Sequence, residues 1–384
     1  MGDLVSRISA RTPPGRDRAA DALRALAILG VVLGHWLVTA LVADSGTLRT
    51  TSPLKYMPGL AAASWLLQTM AVFFLVGGQM AAQSHARARA EGIRYGRWLR
   101  VRTARLARPV VAVAAVWSVV VSGSLAAGAD PDTVRALAKL VWGPLWFLPV
   151  FAALTAVTPL AARLHPAWPL AVVALTDLVR FGLGGPAWPA WANVMAGWMV
   201  PYCLGAAWAR GRSRGRATGW GLLAGGAAAT AVLVVWGGYP AAMVGVPGAA
   251  VSNQAPPTLA AVAFGLAQCG AASLLLGPLR RLLGRSPAAW AAVALLNLSA
   301  MTVFLWHQTA MIAVTALGML SGAALPGLHT VPDSPAWVLA RLAWHPAFAL
   351  ALLVCWAAFR LFDRPRAATS PARTPLTPSS PSEA

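Results

Sequence analysis

Long apolar segments alternate with short polar connections along nearly the whole chain. A transmembrane helix needs about 20 mostly apolar residues to cross the hydrocarbon core of a bilayer. The pattern therefore predicts an all-α integral membrane protein, a bundle of about ten transmembrane helices. The predicted segments are 22–43, 60–82, 107–127, 142–163, 166–182, 191–209, 218–238, 257–279, 290–320 and 338–362.

Arginine is concentrated in alternate connections, and this sets the predicted orientation. The N-terminal arm, the even-numbered connections and the segment after the last helix carry most of the arginines, whereas the odd-numbered connections carry few. Cytoplasmic loops are enriched in Lys and Arg. Both termini are therefore predicted to be cytoplasmic, which requires an even number of helices and agrees with ten. The expected location is the cell (plasma or cytoplasmic) membrane, with the lipid bilayer as a partner.

Three regions follow from the same pattern. Residues 1–20 are polar and arginine-rich and are predicted to form a cytoplasmic basic arm. Residues 21–366 hold all the apolar segments and form the transmembrane domain. The Pro-, Ser- and Thr-rich residues 367–384 cannot bury a core, so we predict a disordered cytoplasmic tail.

Bulk composition excludes several classes of protein. Hydrophobic residues make up 58% of the chain and charged residues 11%, which is typical of a membrane protein. The net charge of +20 does not indicate nucleic-acid binding, because the charges lie in short runs between apolar segments. Cys203, Cys269 and Cys355 lie within apolar segments without ligand spacing, so we expect neither a metal site nor disulfides.

Arg24 and His35 lie eleven positions apart on the first apolar segment. Eleven residues make about three helical turns, so both side chains share one face, about 16 Å apart along the axis. Asp21, one turn before Arg24, is close enough to pair with it and orient the guanidinium. A histidine at that depth is suited to act as a general base on a hydroxyl, because its ordinary pKa lies near neutral pH.

Plainer interpretations of this pair stay open. Arg24 alone fits an anchor that snorkels to the lipid headgroups. His35 alone fits a buried histidine that is hydrogen-bonded to a neighbouring helix. The two together on one face, at that depth, favour a function.

The second connection, IRYGRWLRVRTARLARP, repeats arginine at roughly three-residue steps and so places several guanidiniums along one helical face. Such a face suits a donor with several phosphates, and Arg97, Arg105 and Arg108 are candidate donor-binding residues. The alternative is a basic cytoplasmic loop that touches anionic lipid.

Two further segments place polar or small residues inside the membrane. Gly77 and Gly78 allow close approach by another helix or by a ligand, and Gln79 needs a polar partner. Asn297 and His307 lie in the ninth segment. His307 could line the same cavity as His35, or it could be a structural histidine.

At this point the motifs suggest a family. The stretch DALRALAILGVVLGH, an Asp three before an Arg and then ten residues before a His, resembles the signature of acyltransferase family 3, the integral-membrane acyltransferases. The segments FFLVGGQM, RLARP, LWFLPVFAALTAVTP and MTVFLWHQT extend the resemblance in the expected order and add Trp146 as a supporting or cavity residue.

The resemblance implies a ten-helix O-acyltransferase that moves an acyl group, commonly acetyl, from cytoplasmic acyl-CoA to a hydroxyl of a saccharide, glycosylated or lipid-linked acceptor. It implies His35 as the catalytic base, Arg24 as its essential partner and Arg105 in binding the CoA phosphates. Acyl-CoA is then a co-substrate, and no bound cofactor is expected. The family often has serine where Gly77 stands here. A multi-pass transporter or flippase is the alternative function.

Overall fold

The computed structural model describes residues 2–44, 47–211 and 215–360, and these residues form fifteen α-helices and one antiparallel hairpin. The hairpin pairs β1 (Ala40–Asp44) with β2 (Thr47–Thr51). The helices are α1 (Gly2–Ala10), α2 (Arg18–Val38), α3 (Pro53–Tyr56), α4 (Met70–Ala90), α5 (Tyr95–Ala126), α6 (Pro131–Trp142), α7 (Phe147–Ala156), α8 (Thr158–Ala161), α9 (Ala167–Asp177), α10 (Asn193–Ala209), α11 (Arg216–Val235), α12 (Leu259–Arg285), α13 (Pro287–Leu298), α14 (Ala300–Met319) and α15 (Pro335–Phe359).

The chain is an all-α, multi-pass membrane protein. Within the described residues, eight helical segments are long and apolar enough to cross a membrane; they contain α2, α4, α5, α6 with α7, α11, α12, α14 and α15. The other two predicted segments coincide with α9, which continues as the π-helix Leu178–Gly182, and with α10, which has 17 residues. The count of ten spans and the orientation of the termini stay predictions.

Several predicted segments differ from the helices in their boundaries: 60–82 corresponds to α4, which begins at Met70 and ends at Ala90, and 107–127 to α5, which begins at Tyr95. Two other segments change structure within their length. The segment 22–43 ends as a helix at Val38, and its last residues belong to β1. The segment 290–320 is interrupted at Ser299, which separates α13 from α14. Hydropathy cannot detect either change, because a buried strand and a helix break can both be apolar.

Helix α4 packs directly on α10 because small residues face the partner backbone. A Cβ atom at Gly78 would overlap the carbonyl of Tyr202, and one at Gly205 would overlap the carbonyl of Leu75. This close approach holds α4 beside α2, which also contacts α12, α13 and α14. Helix α2 therefore runs through the interior of the bundle, where buried residues cover most of its length.

The ends of the chain bear on the predicted regions. Within the predicted arm, α1 packs on α13, and Trp290 of α13 donates from Nε1 to Thr12 Oγ1 at 2.8 Å. The predicted tail 367–384, residues 361–366, and Arg212 and Arg214 of the sixth connection lie outside the described residues.

Candidate active site

Helix α2 carries Arg24 toward one end of the bundle and His35 toward the other. It begins where Asp17 Oδ1 accepts from the backbone N–H of Ala20 at 3.3 Å, and it closes where Thr39 N–H donates to the His35 carbonyl at 3.1 Å. The chain then enters the β1–β2 hairpin. We call these the arginine-rich end and the hairpin end of the bundle.

The last turn of α2 is fixed by Arg341 of α15. This arginine is fully buried and donates to the carbonyls of Trp36 at 2.7 Å, Thr39 at 2.7 Å and Gly327 at 3.0 Å. Helix C-termini leave carbonyls without intrahelical partners, and a cation is favourable there. The turn that follows His35 is thus held from across the bundle.

His35 lines a cavity of about 540 Å³ at the hairpin end, the hairpin-end cavity, which is within the size range of ligand pockets. Its walls come from α2, the hairpin, the segment before α4, the end of α6 and the connection between α11 and α12. The polar or aromatic side chains that line it are His35, Thr39, Thr50, Thr51, Ser52, Ser64, Gln68, Lys139, Trp146, Phe147, Gln254 and Phe304.

A second histidine lies beside His35. The rings of His35 and His307 are 5.1 Å apart between centroids, and His307 is buried. Nδ1 of His307 lies 2.5 Å from the carbonyl oxygen of Phe304, so this nitrogen carries a proton and donates. Nε2 of His307 is left as an acceptor with no hydrogen-bond partner among the described residues.

Gln308 can select the tautomer of His35. Its amide nitrogen lies 3.4 Å from His35 Nδ1, while its amide oxygen is buried without a hydrogen-bond partner in the described part of the chain. Rotating the amide by half a turn places the oxygen at Nδ1, where it accepts the Nδ1 proton. Nε2 of His35 then holds the free lone pair that a general base requires.

Arg24 lines a separate, small cavity of about 20 Å³, the Arg24 cavity. Four residues line both cavities and therefore lie between them: Val31, Met70, Phe147 and Phe304. These four form an apolar partition between Arg24 and His35.

The predicted pairing of Asp21 with Arg24 is wrong. Asp21 is buried and accepts from Arg16, at 2.6 Å from Nε and 3.3 Å from Nη2. The half-buried Arg24 has no hydrogen bond or ion pair within the described residues. Asp21, Arg102 and Arg16 are the charged groups whose fields act on it. Its guanidinium is available to an anion.

The arginines of α5 differ in placement. Arg97, Arg105 and Arg108, the predicted donor-binding residues, are exposed on the surface. Arg102 is half-buried, lies 5.6 Å from the ring centroid of Trp98, and is the α5 arginine whose charge acts on Arg24. A three-residue spacing does not show which guanidinium turns inward, so the sequence did not select Arg102.

The remaining predicted residues divide between the cavity and its supports. Trp146 lines the hairpin-end cavity. Gly77 and Gly78 line neither cavity; they pack against the ring of Phe151 and the backbone of Tyr202. The packing of the two glycines therefore shows close approach by neighbouring helices and not by a ligand.

Gln79 and Asn297 support the start of α2. Gln79 Nε2 lies 3.4 Å from Asp17 Oδ2, next to the N-cap of the helix. Asn297 Nδ2 donates to the carbonyl of Asp21 at 2.8 Å. Neither residue lines the hairpin-end cavity or the Arg24 cavity. Sequence reasoning missed Gln68, Gln254 and Lys139, because their convergence depends on connections far apart in the chain.

Comparison with known proteins gives one match. The family model of acyltransferase family 3, described as an acyltransferase domain, matches residues 17–360. No curated protein and no solved structure matches the chain.

Proposed function

The chain belongs to acyltransferase family 3 and is a membrane acyltransferase; we propose that it moves an acetyl group from acyl-CoA to a hydroxyl of a saccharide-bearing acceptor, with His35 as the general base. The donor enters from the arginine-rich end, which we place in the cytoplasm, and the acceptor occupies the hairpin-end cavity. Acyl-CoA is a co-substrate in this scheme, the acceptor is a glycan unit, a glycosylated molecule or a lipid-linked saccharide, and the protein resides in the cell membrane.

The observation that carries the proposal is the division of one helix between two cavities. His35 and Arg24 lie on the same face of α2, three turns apart, and each lines its own cavity. The partition between them is apolar. For the transfer, the thioester passes between these apolar side chains to reach the acceptor hydroxyl at His35, and their surface disfavours water, which would hydrolyse the thioester.

The lining of the hairpin-end cavity supports a saccharide acceptor. Gln68 and Gln254 form a reciprocal amide pair, at 3.1 and 3.2 Å, and each amide keeps one N–H and one lone pair for a ligand. Trp146 is 36% exposed, and an aromatic ring offers an apolar face with a wet edge. The Thr51 hydroxyl has no hydrogen-bond partner within the described residues. Hydroxyl-rich rings match such a lining.

The arginine-rich end supports a phosphate-bearing donor. Arg24 makes no ion pair among the described residues, although the charge of Asp21 acts on it, and the half-buried Arg102 is near enough for its charge to act on Arg24 as well. Guanidinium groups bind phosphate through charge-assisted, often bidentate hydrogen bonds. The choice of acetyl as the acyl group rests on the family resemblance.

The chemical step uses one proton carrier. His35 removes the proton of the acceptor hydroxyl as that oxygen attacks the thioester carbonyl, and a C–O bond forms. The C–S bond then breaks, and the departing thiolate takes the proton from His35. A positioned general base contributes about 10²- to 10⁴-fold to the rate. Holding both substrates in line contributes further.

The test is thioester loss from acetyl-CoA by the detergent-purified protein, with octyl glucoside or octyl glucuronide supplied as the acceptor. We expect His35→Ala to lower turnover at least about 100-fold while acetyl-CoA binding is kept. The matched control is His165→Ala, because His165 is exposed and lines neither cavity. Turnover by His35→Ala at the level of the control would remove His35 as the base.

A further inference from the structure

We infer that the acceptor carries a negative charge, a carboxylate or a phosphate, which Lys139 holds at the hairpin-end cavity while the acceptor hydroxyl reaches His35. The inference rests on the proposed function and names its acceptor class. Lys139 is a specificity residue in this scheme, since it acts on acceptor choice and takes no part in the proton transfer.

The charge inventory of the cavity is the first observation. Among the described residues that line it, Lys139 is the one ionised side chain besides the titratable His35, and no Asp or Glu is present. The rest of the wall is apolar or uncharged. An unopposed charge over low-dielectric walls concentrates counter-ions in a cleft. The cavity is therefore electropositive and attracts anions.

The second observation is that the carboxylates of α6, its N-cap and the hairpin have partners other than Lys139. Asp132 pairs with Arg135 at 2.6 Å, and Asp44 lies 3.7 Å from Arg49. Asp130 caps α6 by accepting from Thr133. Lys139 itself has no ion pair within the described residues.

The third observation is that Lys139 is held in place by its helix. Asp130 Oδ2 accepts from the backbone N–H of Thr133 at 2.7 Å and from its hydroxyl at 2.8 Å. The Thr133 hydroxyl in turn accepts from the N–H of Leu48 in β2 at 3.1 Å, which ties α6 to the hairpin. The backbone that carries Lys139 is thus tied to the hairpin wall of the cavity.

Exposure decides which part of the acceptor meets Lys139. Lys139 is exposed, whereas His35 is half-buried among apolar neighbours. A charged group is costly to bury, so it stays hydrated beside Lys139 while the uncharged hydroxyl-bearing part enters. Because one cavity touches both residues, one molecule can contact both.

A lysine in the last turn of a helix also stabilises the helix, because its positive charge interacts favourably with the helix dipole. This structural role predicts a change in stability without any change in charge preference. The experiment must therefore read charge preference directly, independent of turnover.

The first measurement probes the cavity with charged thiol reagents. Thr50 is exposed and lines the cavity, so a cysteine is introduced there by Thr50→Cys in a Cys355→Ser background. The cysteine is labelled with either of two methanethiosulfonates, the negatively charged sulfonatoethyl reagent or the positively charged trimethylammonioethyl reagent. We expect the ratio of the labelling rate with the anionic reagent to that with the cationic reagent to be at least about tenfold higher than the same ratio for a free thiol. Lys139→Gln should remove that preference, and Lys139→Glu should invert it.

Arg135→Gln is the matched control, because Arg135 is exposed on the same helix, is already paired, and does not line the cavity. We expect it to leave the labelling ratio unchanged. Equal labelling by both reagents in the parent protein, or the same ratio after Lys139→Gln, would overturn the inference. If Arg135→Gln lowered the labelling ratio as much as Lys139→Gln does, the positive potential would belong to the whole surface and not to Lys139. That result would also overturn the inference.

The second measurement compares three acceptors that share a sugar ring and differ at C6, which is a neutral hydroxymethyl group in octyl glucoside, a carboxylate in octyl glucuronide and a phosphate ester in octyl glucoside 6-phosphate; each is supplied with acetyl-CoA. We expect the anionic pair to be favoured in kcat/KM, and the order of the two separates a carboxylate from a phosphate. Preference for octyl glucoside would overturn the inference. His35-dependent thioester loss tests the proposed function separately, so either can fail alone.

Discussion

Replacing Arg341 with methionine should destabilise the protein at the turn that follows His35. Methionine keeps much of the volume of the side chain but removes every donor. The carbonyls of Trp36, Thr39 and Gly327 then lose a charged partner inside the bundle. The contact of Nη2 with the Met311 sulfur is lost as well.

The magnitude follows from those three carbonyls. A buried acceptor left without a partner costs about 1–3 kcal/mol, so three of them cost about 3–9 kcal/mol. Removing a buried guanidinium that has no carboxylate partner in the described residues returns several kcal/mol of desolvation. We expect a net loss of about 3 kcal/mol for Arg341→Met. Arg341→Lys keeps the charge but not the planar guanidinium fork, so its free energy of unfolding should lie between those of the parent protein and Arg341→Met.

The assay is reversible unfolding in mixed detergent micelles, with a surface arginine as control. Arg135→Met should change the free energy of unfolding by less than about 0.5 kcal/mol, because Arg135 and Asp132 are both exposed. Arg341→Met should also lower thioester turnover, since the last turn of α2 carries His35. A loss of under about 0.5 kcal/mol for Arg341→Met would refute the reasoning, because the carbonyls would then have other donors.

Other substitutions test the packing and the tautomer. Gln308→Leu should lower thioester turnover about tenfold or more without lowering the unfolding temperature. Gln308→Glu keeps an oxygen that can accept from His35 Nδ1, so it should retain more turnover than Gln308→Leu. An equal loss of turnover in both variants would rule out Gln308 as the acceptor for His35 Nδ1. Gly77→Ser should cost about 1–3 kcal/mol in detergent unfolding because Phe151 occupies the space, and a Phe151→Leu background should reduce that cost. Gly78→Ala should stay costly in the same background, since its neighbour is backbone; equal relief at both glycines would contradict the packing.

The parts of the fold that depend on local sequence were predictable. Hydropathy located the helical segments, because crossing a bilayer requires long apolar runs. The shared face of Arg24 and His35 follows from the helical period alone. The order of the motifs added the family, which the match over residues 17–360 confirms.

What the sequence could not supply are contacts between distant segments. Asp21 was assigned to Arg24 by spacing, but Arg16 reaches it from the preceding loop and hydrogen-bonds to both of its carboxylate oxygens. Gln308 meets His35 from 273 positions away. Lys139 and Gln254 reach the same cavity from separate connections. Such convergence is a property of helix packing, which periodicity does not encode.

The arginines of α5 offer the sharpest comparison between sequence and structure. Spacing favoured Arg97, Arg105 and Arg108, all exposed, whereas the structure turns Arg102 toward Arg24. An exposed charge contributes up to about 1 kcal/mol to binding, or less than about fivefold in affinity.

A guanidinium that meets a phosphate in a less hydrated site contributes about 1.5–3 kcal/mol, or about 10- to 100-fold. We therefore expect Arg102→Gln to raise the Kd for acetyl-CoA at least about tenfold, and Arg105→Gln to raise it less than about fivefold, when the binding of labelled acetyl-CoA is measured in detergent. Arg102→Lys should recover part of the loss, because it restores charge without the fork. An equal loss of acetyl-CoA affinity in both Gln variants would mean that the donor lies along the exposed face of α5. The placement of the donor phosphates near Arg102 and Arg24 would then be wrong.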